Sequence, residues 1–343
     1  MLRLFVILQI IVTSYCCLSC SGGQNQSIEP GKIWNDTQGN PINAHGGGIL
    51  LHEGIYYWFG EIKKDSTWRV PYITTWECYR TNAGGVSCYS SKNLTDWEYE
   101  GVALVPERSN PASDIHFSKV IERPKVIYNQ ETGKFVMWMH IDSEDYSYAR
   151  AGVAVSDSPA GPYTYLHSIR PNNQMSRDMT LFKDDDGNAY HIYSSENNAT
   201  LYISLLSDDF LSPSGTFIRT LENQSREAPA IFKQRGKYYL ITSGCTGWAP
   251  NPASYAVADS VLGHWEVKGN PCVGKNAETT FDSQSTFVLQ AGGSDNAFIF
   301  MADRWNKADL EDSRYVWLPI NIENDELSIS WIDQWDLRHF ADE

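Results

Sequence analysis

Five short runs of aromatic and β-branched residues recur along the chain, each introduced by a tight-turn signal and followed by a polar side chain. That recurrence leaves few folds open. The runs are Tyr56-Tyr57-Trp58-Phe59, Phe135-Val136-Met137-Trp138, Tyr190-His191-Ile192-Tyr193, Tyr238-Tyr239-Leu240-Ile241 and Phe298-Ile299-Phe300-Met301. Ahead of them stand Glu53-Gly54, Glu131-Thr132-Gly133, Asp185-Asp186-Gly187, Arg235-Gly236 and Ser294-Asp295-Asn296, which supply the positive φ or Asx geometry of hairpin turns. Each run reads as a strand, and Glu61, His140, Glu196, Thr242 and Asp303 fall at or just past the strand ends. A repeated scaffold with different polar residues at one rim predicts a β-propeller that carries its chemistry at one end of the channel.

A second hairpin element follows each run: Ser90-Ser91 leading to Leu94 and Trp97, Ser156-Asp157-Ser158 to Tyr163, Ser207-Asp208-Asp209-Phe210, Ala258-Asp259-Ser260 to Trp265, and Arg314-Tyr315-Val316-Trp317. A β-sandwich with irregular loops is the competing architecture, but it predicts no five-fold recurrence of paired hairpins. With 343 residues, 42% of them hydrophobic and 13% aromatic, the chain can bury a large core, and no long helical periodicity interrupts the pattern. A net charge of −15 argues against nucleic acid as a partner, since phosphates need a basic patch, and fits a neutral polymer better.

The first nineteen residues read as an export signal: Arg3, an apolar stretch from Leu4 to Val12, then small and polar residues before Cys20. Leu18-Ser19-Cys20 followed by Ser21-Gly22-Gly23 resembles a bacterial lipobox, with Cys17 departing from the usual aliphatic residue; an ordinary cleaved signal is the alternative. The expected organisation is a signal over 1–19 with an acylated Cys20, a flexible tether over 20–30 and one catalytic domain over 31–343. The corresponding location is the periplasm or outer membrane, or the medium if the protein is freely secreted. The sequons at Asn25, Asn35, Asn93, Asn198 and Asn223 matter only in a eukaryotic host. Strands running almost to the C-terminus leave no expectation of an appended carbohydrate-binding domain.

Cys78, Cys88, Cys245 and Cys272 remain after processing, and an even number in an exported chain permits two disulfides. Of three connectivities, Cys78–Cys88 with Cys245–Cys272 closes the shortest loops and is the expected one. No C-x-x-C spacing or nearby histidine pair suggests zinc, and Asp184-Asp185-Asp186-Gly187 lacks the alternation of an EF-hand loop, so neither a metal nor another cofactor is indicated. Structural calcium is compatible with the sequence without being called for. Gly46-Gly47-Gly48 precedes a strand rather than a helix and so is not a phosphate loop; it lets backbone approach closely in the first blade.

The chemistry concentrates in three segments of one design. Ile121-Glu122-Arg123-Pro124-Lys125, Ser176-Arg177-Asp178-Met179-Thr180 and Arg226-Glu227-Ala228-Pro229-Ala230 each place an acid beside an arginine just before a hydrophobic strand. A solvated turn would explain any one of them. At equivalent blade positions, however, Glu122, Asp178 and Glu227 converge on the channel, where burial and mutual repulsion separate their pKa values. Converging carboxylates facing a neutral polymer point to glycoside hydrolysis, and the 12 Trp and 19 Tyr residues supply faces for sugar stacking. The same geometry also suits sugar binding without turnover.

These residues also carry a resemblance. Ala44-His45-Gly46-Gly47-Gly48, Gly85-Val86-Ser87-Cys88-Tyr89-Ser90-Ser91, Glu122-Arg123-Pro124-Lys125-Val126 with Met137-Trp138-Met139-His140, and Ser176-Arg177-Asp178-Met179-Thr180 cover the first half of it. Arg226-Glu227-Ala228-Pro229, Thr242-Ser243-Gly244-Cys245-Thr246-Gly247-Trp248, Ser283-Gln284-Ser285-Thr286 and Asp303-Arg304-Trp305 complete it. Together they resemble glycoside hydrolase family 43 and, within it, the exo-β-1,3-galactanase group, subfamily 24. The resemblance implies a five-bladed propeller and an inverting mechanism, with Glu227 as general acid, Asp178 tuning and orienting it, and Glu122 with Arg123 gripping sugar hydroxyls. Most of the family uses a first-blade aspartate as base, yet Pro41-Ile42-Asn43-Ala44-His45 holds no carboxylate; in the galactanase group a glutamine takes that role and matches Gln284.

A neutral amide has no basic lone pair near pH 7, so Gln284 is expected to position water through its carbonyl oxygen, or to act as base through an imidic acid tautomer. Glu122 as base is the chemically easier alternative. His45, His140 and Tyr146 are candidates for touching sugar as well as for packing. Thr246 and Gly247 are carried by the resemblance alone, and Arg304 pairs inside the fold with Asp303 or reaches substrate. The expected protein is a monomeric, exported exo-galactanase that removes galactose from non-reducing ends of β-1,3-galactan, as in arabinogalactan backbones, with an inverting spacing of roughly 6.5–9.5 Å between the groups that serve acid and water. An α-L-arabinofuranosidase or β-xylosidase of the same family, and a non-catalytic glycan-binding propeller, are the alternatives.

Overall fold

The computed structural model describes residues 27–292 and 296–341. Five antiparallel sheets follow one another along the chain. The first holds β1 (His45–His52), β2 (Ile55–Arg69), β3 (Tyr79–Ser91) and β4 (Glu98–Leu104); the second holds β5 (Val120–Asn129), β6 (Lys134–Asp142), β7 (Arg150–Ser156) and β8 (Thr164–Ile169). The third holds β9 (Met179–Lys183), β10 (Ala189–Ser195), β11 (Thr200–Leu206) and β12 (Pro213–Thr220). The fourth holds β13 (Arg226–Gln234), β14 (Lys237–Gly244), β15 (Ser254–Ala258) and β16 (Glu266–Gly269). The fifth holds β18 (Gln284–Gln290), β19 (Phe298–Arg304), β20 (Arg314–Glu323) and β21 (Glu326–Ser330), with the short β17 (Cys272–Val273) parallel to β21 at its outer edge.

The first strand of each sheet touches the first strand of the next, β1 to β5 to β9 to β13 to β18 and back to β1, so the five strands ring a channel and the sheets radiate as blades. The fold is the expected five-bladed propeller. Successive residues of a strand point to opposite faces, and here both faces are covered. In blade I Trp58 packs against Tyr315 and Trp317 of blade V while Phe59 joins Phe135 and Met137 of blade II. In blade II Met137 faces back toward blade I and Trp138 forward toward Met179 and Tyr193 of blade III. In blade IV, Tyr239 packs toward blade V and Leu240 toward blade III. A strand buried on both faces reads as a continuous apolar run, which is why the five second strands stood out in the sequence.

The ring closes between blades V and I. Ile28 and Trp335 exchange backbone hydrogen bonds of 2.7 and 3.1 Å, and the Trp335 indole donates to the Trp317 carbonyl at 2.9 Å. Trp34, Trp58, Trp97, Trp317 and Trp335 gather in the cluster at this junction. The export signal, the lipobox cysteine and most of the proposed tether lie outside the described residues, as do two residues of the Ser294-Asp295-Asn296 turn.

Two expectations need correction. The four cysteines among the described residues, Cys78, Cys88, Cys245 and Cys272, are free thiols. Cys88 packs on β3 among Phe59, Val86 and Ala103, whereas Cys272 lies in the cluster between blades IV and V, and Cys245 sits on a connection at the channel mouth. Closing a short loop is an entropic argument, and the blade architecture overrides it by sending these side chains to different environments. The second correction concerns the rim. Glu196 forms an outward ion pair with Arg219, and Thr242 takes a hydrogen bond from Arg226; neither lines the site.

Candidate active site

At one end of the ring, five residues occupy matching positions on the five inner strands: His45, Glu122, Asp178, Glu227 and Gln284. Their second-strand neighbours in register are Glu61, His140, Ser194, Ser243 and Asp303, respectively. In blades I, II and IV the pairing slips directly after this position, and in blade V one residue later, after Ser285. Such bulges re-aim side chains at sheet rims. The slip is accompanied by left-handed backbone at Gly46 (φ +57°), Arg123 (φ +55°) and Ala228 (φ +51°). A non-glycine residue in that region stores about 1–3 kcal/mol, a cost that clusters at functional sites.

The ends of these strands and the loops beyond them enclose a cavity of about 660 Å³. Glu227 lines it. The Gln284 amide donates to Glu227 Oε1 at 3.0 Å, and Asn198 donates to Oε2 at 3.0 Å. Burial, and secondarily the nearby Asp178 carboxylate, push the Glu227 carboxyl up to about 8, against the opposing pull of Arg123. Glu227 is therefore a neutral acid at pH 7, the state a general acid requires.

Gln284 is held from both ends. Its carbonyl oxygen accepts from Arg123 Nη2 at 2.5 Å and from the Trp305 indole at 3.0 Å, while its NH2 also reaches Ser243 Oγ at 3.3 Å. Guanidinium and indole are donors only, so they fix which end of the amide faces Glu227. Arg123 also pairs with Asp178 at 2.9 Å and donates to the Ser285 carbonyl at 3.3 Å. Burial works against its charge, but the carboxylates around it, Asp178 first, raise its pKa above the usual arginine value.

A second polar group lies beside the first. Glu122 takes hydrogen bonds from Lys63 at 3.2 Å and Tyr146 at 3.0 Å, with His140 Nδ1 at 3.6 Å. Burial disfavours its ionisation, but Lys63 and His140 outweigh it and hold Glu122 well below the usual carboxylate range. Lys63 also contacts Glu61 at 2.8 Å. Burial pushes Glu61 up to about 8, with Lys63 opposing, so near pH 7 Glu122 is ionised, Lys63 is charged and Glu61 is a neutral acid. Against its burial, His140 is raised to about 9 by Asp142, at 2.8 Å, and by Glu122.

Aromatic walls complete the cavity: Tyr72 and Trp76 from the β2–β3 connection, Tyr146, Trp248 and Trp305. The 72–76 segment is strapped to blade II by the Tyr72 hydroxyl on Glu144 at 3.0 Å and to blade V by the Glu77–Lys307 ion pair.

Of the residues singled out in the sequence, Glu122, Arg123, Tyr146, Asp178, Glu227, Gln284 and Gly247 line this cavity. Three do not. His45 is fully buried beneath it, 3.5 Å from Asp303 and stacked on Tyr315. The Thr246 hydroxyl is spent on its own loop, donating to the Ala249 carbonyl at 2.6 Å. Arg304 turns away to donate to the Phe281 carbonyl at 2.7 Å and to lie over Trp331. Sequence reasoning named Glu61 only as a polar residue of the rim and Arg177 only as the neighbour of Asp178, and it passed over Lys63, Asn198, Trp76, Trp248 and Trp305 as site residues. Two of these had a visible signal: Trp248 and Trp305 end motifs already noted. Asn198 reaches Glu227 only because the β10–β11 turn runs through left-handed residues 196–198.

The spacing of acid and water-holder departs from the expectation. Glu227 and Gln284 are in direct contact, so the gap of roughly 6.5–9.5 Å that two inverting groups leave for water is absent in this geometry.

A buried neutral acid, a guanidinium–carboxylate pair and aromatic walls over a propeller channel define a glycoside-processing site. The chain belongs to glycosyl hydrolases family 43, whose family model matches residues 62–313. Among solved structures, a GH43 β-1,3-galactosidase determined with galactodeoxynojirimycin is 45% identical, with a TM-score of 0.83 over 90% of this chain and 100% of that one. The exo-β-1,3-galactanase of Clostridium thermocellum is 39% identical, TM-score 0.79, covering 90% of this chain and 66% of that one. An exo-β-1,3-galactanase of Phanerochaete chrysosporium, solved with β-1,3-galactotriose, is 36% identical, TM-score 0.80, over 91% and 68% of the two chains. A comparison with curated protein sequences found no match.

Proposed function

We propose that the protein is an exo-acting β-1,3-galactanase that releases galactose from the non-reducing end of β-1,3-galactan. The observation that carries this reading is the Glu227–Gln284 pair, a buried carboxylic acid hydrogen-bonded to an amide whose orientation Arg123 and Trp305 fix. The similarity to β-1,3-galactosidases and exo-β-1,3-galactanases supports the substrate.

In the proposed reaction Glu227 swings from the amide to the glycosidic oxygen and protonates it as the bond to the anomeric carbon breaks. The Gln284 amide, released from Glu227, holds the water that attacks from the opposite face; the proton this water loses leaves to solvent through the open cavity, and solvent returns a proton to Glu227. Both lone pairs of its oxygen already accept from groups that only donate, a setting that favours the amide over the imidic acid tautomer and a water-orienting role over that of a base. Glu122, strongly ionised and clasped by Lys63 and Tyr146, is suited to gripping sugar hydroxyls rather than to taking a proton. The strapped wall over residues 72–76 is consistent with attack at a chain end.

The test is incubation with linear β-1,3-galactan and with arabinoxylan, following products and anomeric configuration by NMR. Galactose appearing first as the α-anomer, from galactan alone, is the expected result; pentose release moves the protein to the arabinofuranosidase or xylosidase branch. Binding without release makes it a glycan-binding propeller. For location, we propose export and tethering through an acylated Cys20, with residues 31–343 as the catalytic unit. Cys20→Ser should then move the protein from the detergent phase to the soluble fraction.

A further inference from the structure

The channel inside the inner-strand ring opens also on the face away from the sugar site, in a cavity of about 610 Å³ walled in part by Leu50, Ile127, Leu181 and Phe287. Lys125 is out of place there. In blades I, IV and V the residue that resumes pairing after the rim bulge is Gly48, Ala230 or Phe287; in blade II it is this lysine, fully buried. Lysine is almost never fully buried unless it is paired. Room is made for its stem by Gly48 of blade I, where a Cβ would come within 2.6 Å of Lys125 Cδ.

Both hydrogen bonds of the ammonium go to backbone. It donates to the Gly46 carbonyl at 2.8 Å and the Arg123 carbonyl at 3.3 Å. These are the two left-handed residues at the site ends of blades I and II. The matching residue of blade IV, Ala228, has its carbonyl held by Ser285 Oγ at 2.6 Å. The two non-glycine left-handed residues of the inner-strand bulges, Arg123 and Ala228, are thus each tied by a side chain from the strand ring. The Arg123 side chain, in turn, holds the Gln284 oxygen, Asp178 and the Ser285 carbonyl.

We propose that Lys125 is a positioning residue for hydrolysis, which pins the bulged backbone of Arg123 to blade I so that the guanidinium stands where it orients Gln284 and Asp178. Burial, followed by the Arg123 charge, pulls the Lys125 pKa down to about 7. The neutral amine keeps two N–H donors, enough for both carbonyls. The clamp therefore operates in either protonation state.

The test is Lys125→Met, which retains most of the stem and removes the donors. The inference rests on the galactanase reading only for its substrate. Wild-type protein assayed on β-1,3-galactan tests that reading separately, and the lysine is judged relative to wild type on whichever galactoside or other glycoside the protein cleaves. Expected are a fall in kcat of about tenfold to hundredfold and a change in KM of less than threefold. In a double-mutant cycle on an activated aryl glycoside, the Lys125→Met effect should largely disappear in a Gln284→Ala background, since residues acting through one another are non-additive. Additive losses, or a Lys125→Met protein with wild-type kcat, would overturn the proposal. If Lys125→Met does not fold, Lys125→Ala with butylamine supplies the missing ammonium through the open channel. Regained turnover with the amine and not with butanol supports the clamp, and a folded protein without regained turnover overturns it.

Discussion

Glu227 enters the cavity as an uncharged acid because its surroundings make ionisation costly, and two measurable consequences follow from that one shift. Turnover should persist up to about pH 8 and decline as the acid titrates through its raised value. A kcat/KM profile whose alkaline limb begins near pH 5 would remove Glu227 from that role. The same shift makes stability depend on pH. The folded protein keeps a proton that the unfolded chain releases above about 4.5, so Glu227 contributes stability at low pH that is lost as pH rises to about 8. Glu227→Gln has no charge to bury and should exceed wild type in Tm by a margin that grows across this interval, while losing about 10²–10⁴-fold in kcat. Gln284→Glu would place a second carboxylate where the amide now donates at 3.0 Å. Two acids so close share a proton, and the alkaline limb should move upward in a pH–rate measurement.

At the scale of the element, the bulged inner strand is the unit that turns a blade into a site. Gly47 has nothing to do with a left-handed turn; a Cβ there would lie 1.9 Å from the Phe59 carbonyl oxygen of β2. Gly47→Ala should therefore cost about 3 kcal/mol, the upper end for overpacking, read as a lower denaturant midpoint with loss of activity in proportion to unfolding. The second strands were legible in the sequence because burial on both faces leaves an unbroken apolar run such as Phe135–Trp138, bounded by turn residues. The acid-bearing rim was legible because Glu122, Asp178 and Glu227 each stand beside an arginine just before a hydrophobic strand. What escaped was contact between residues well separated in sequence, within a blade as well as between blades. Lys63 reaches Glu122 across 59 positions, and Trp305 reaches Gln284 from the adjoining strand's end. No local period records such meetings. The outward Glu196 and inward Asn198 show the limit plainly, since two residues of one turn point to opposite fates.

At the scale of the whole molecule, stability depends on five clusters lying between blades, so losing one junction loosens the ring. Trp335→Ala removes a buried indole and its hydrogen bond to the Trp317 carbonyl. It should cost about 3–5 kcal/mol, checked by calorimetry, and lower activity through ring opening rather than at the cavity. The pairing of Ile28 with Trp335 has one more implication. Segments far apart in sequence but hydrogen-bonded to each other close the ring, so the cyclic order of the blades can be kept whichever blade the chain begins in. A circular permutant that joins the two ends by a short linker and opens at the exposed Arg235-Gly236 turn would begin in the middle of today's fourth blade and still assemble the same ring.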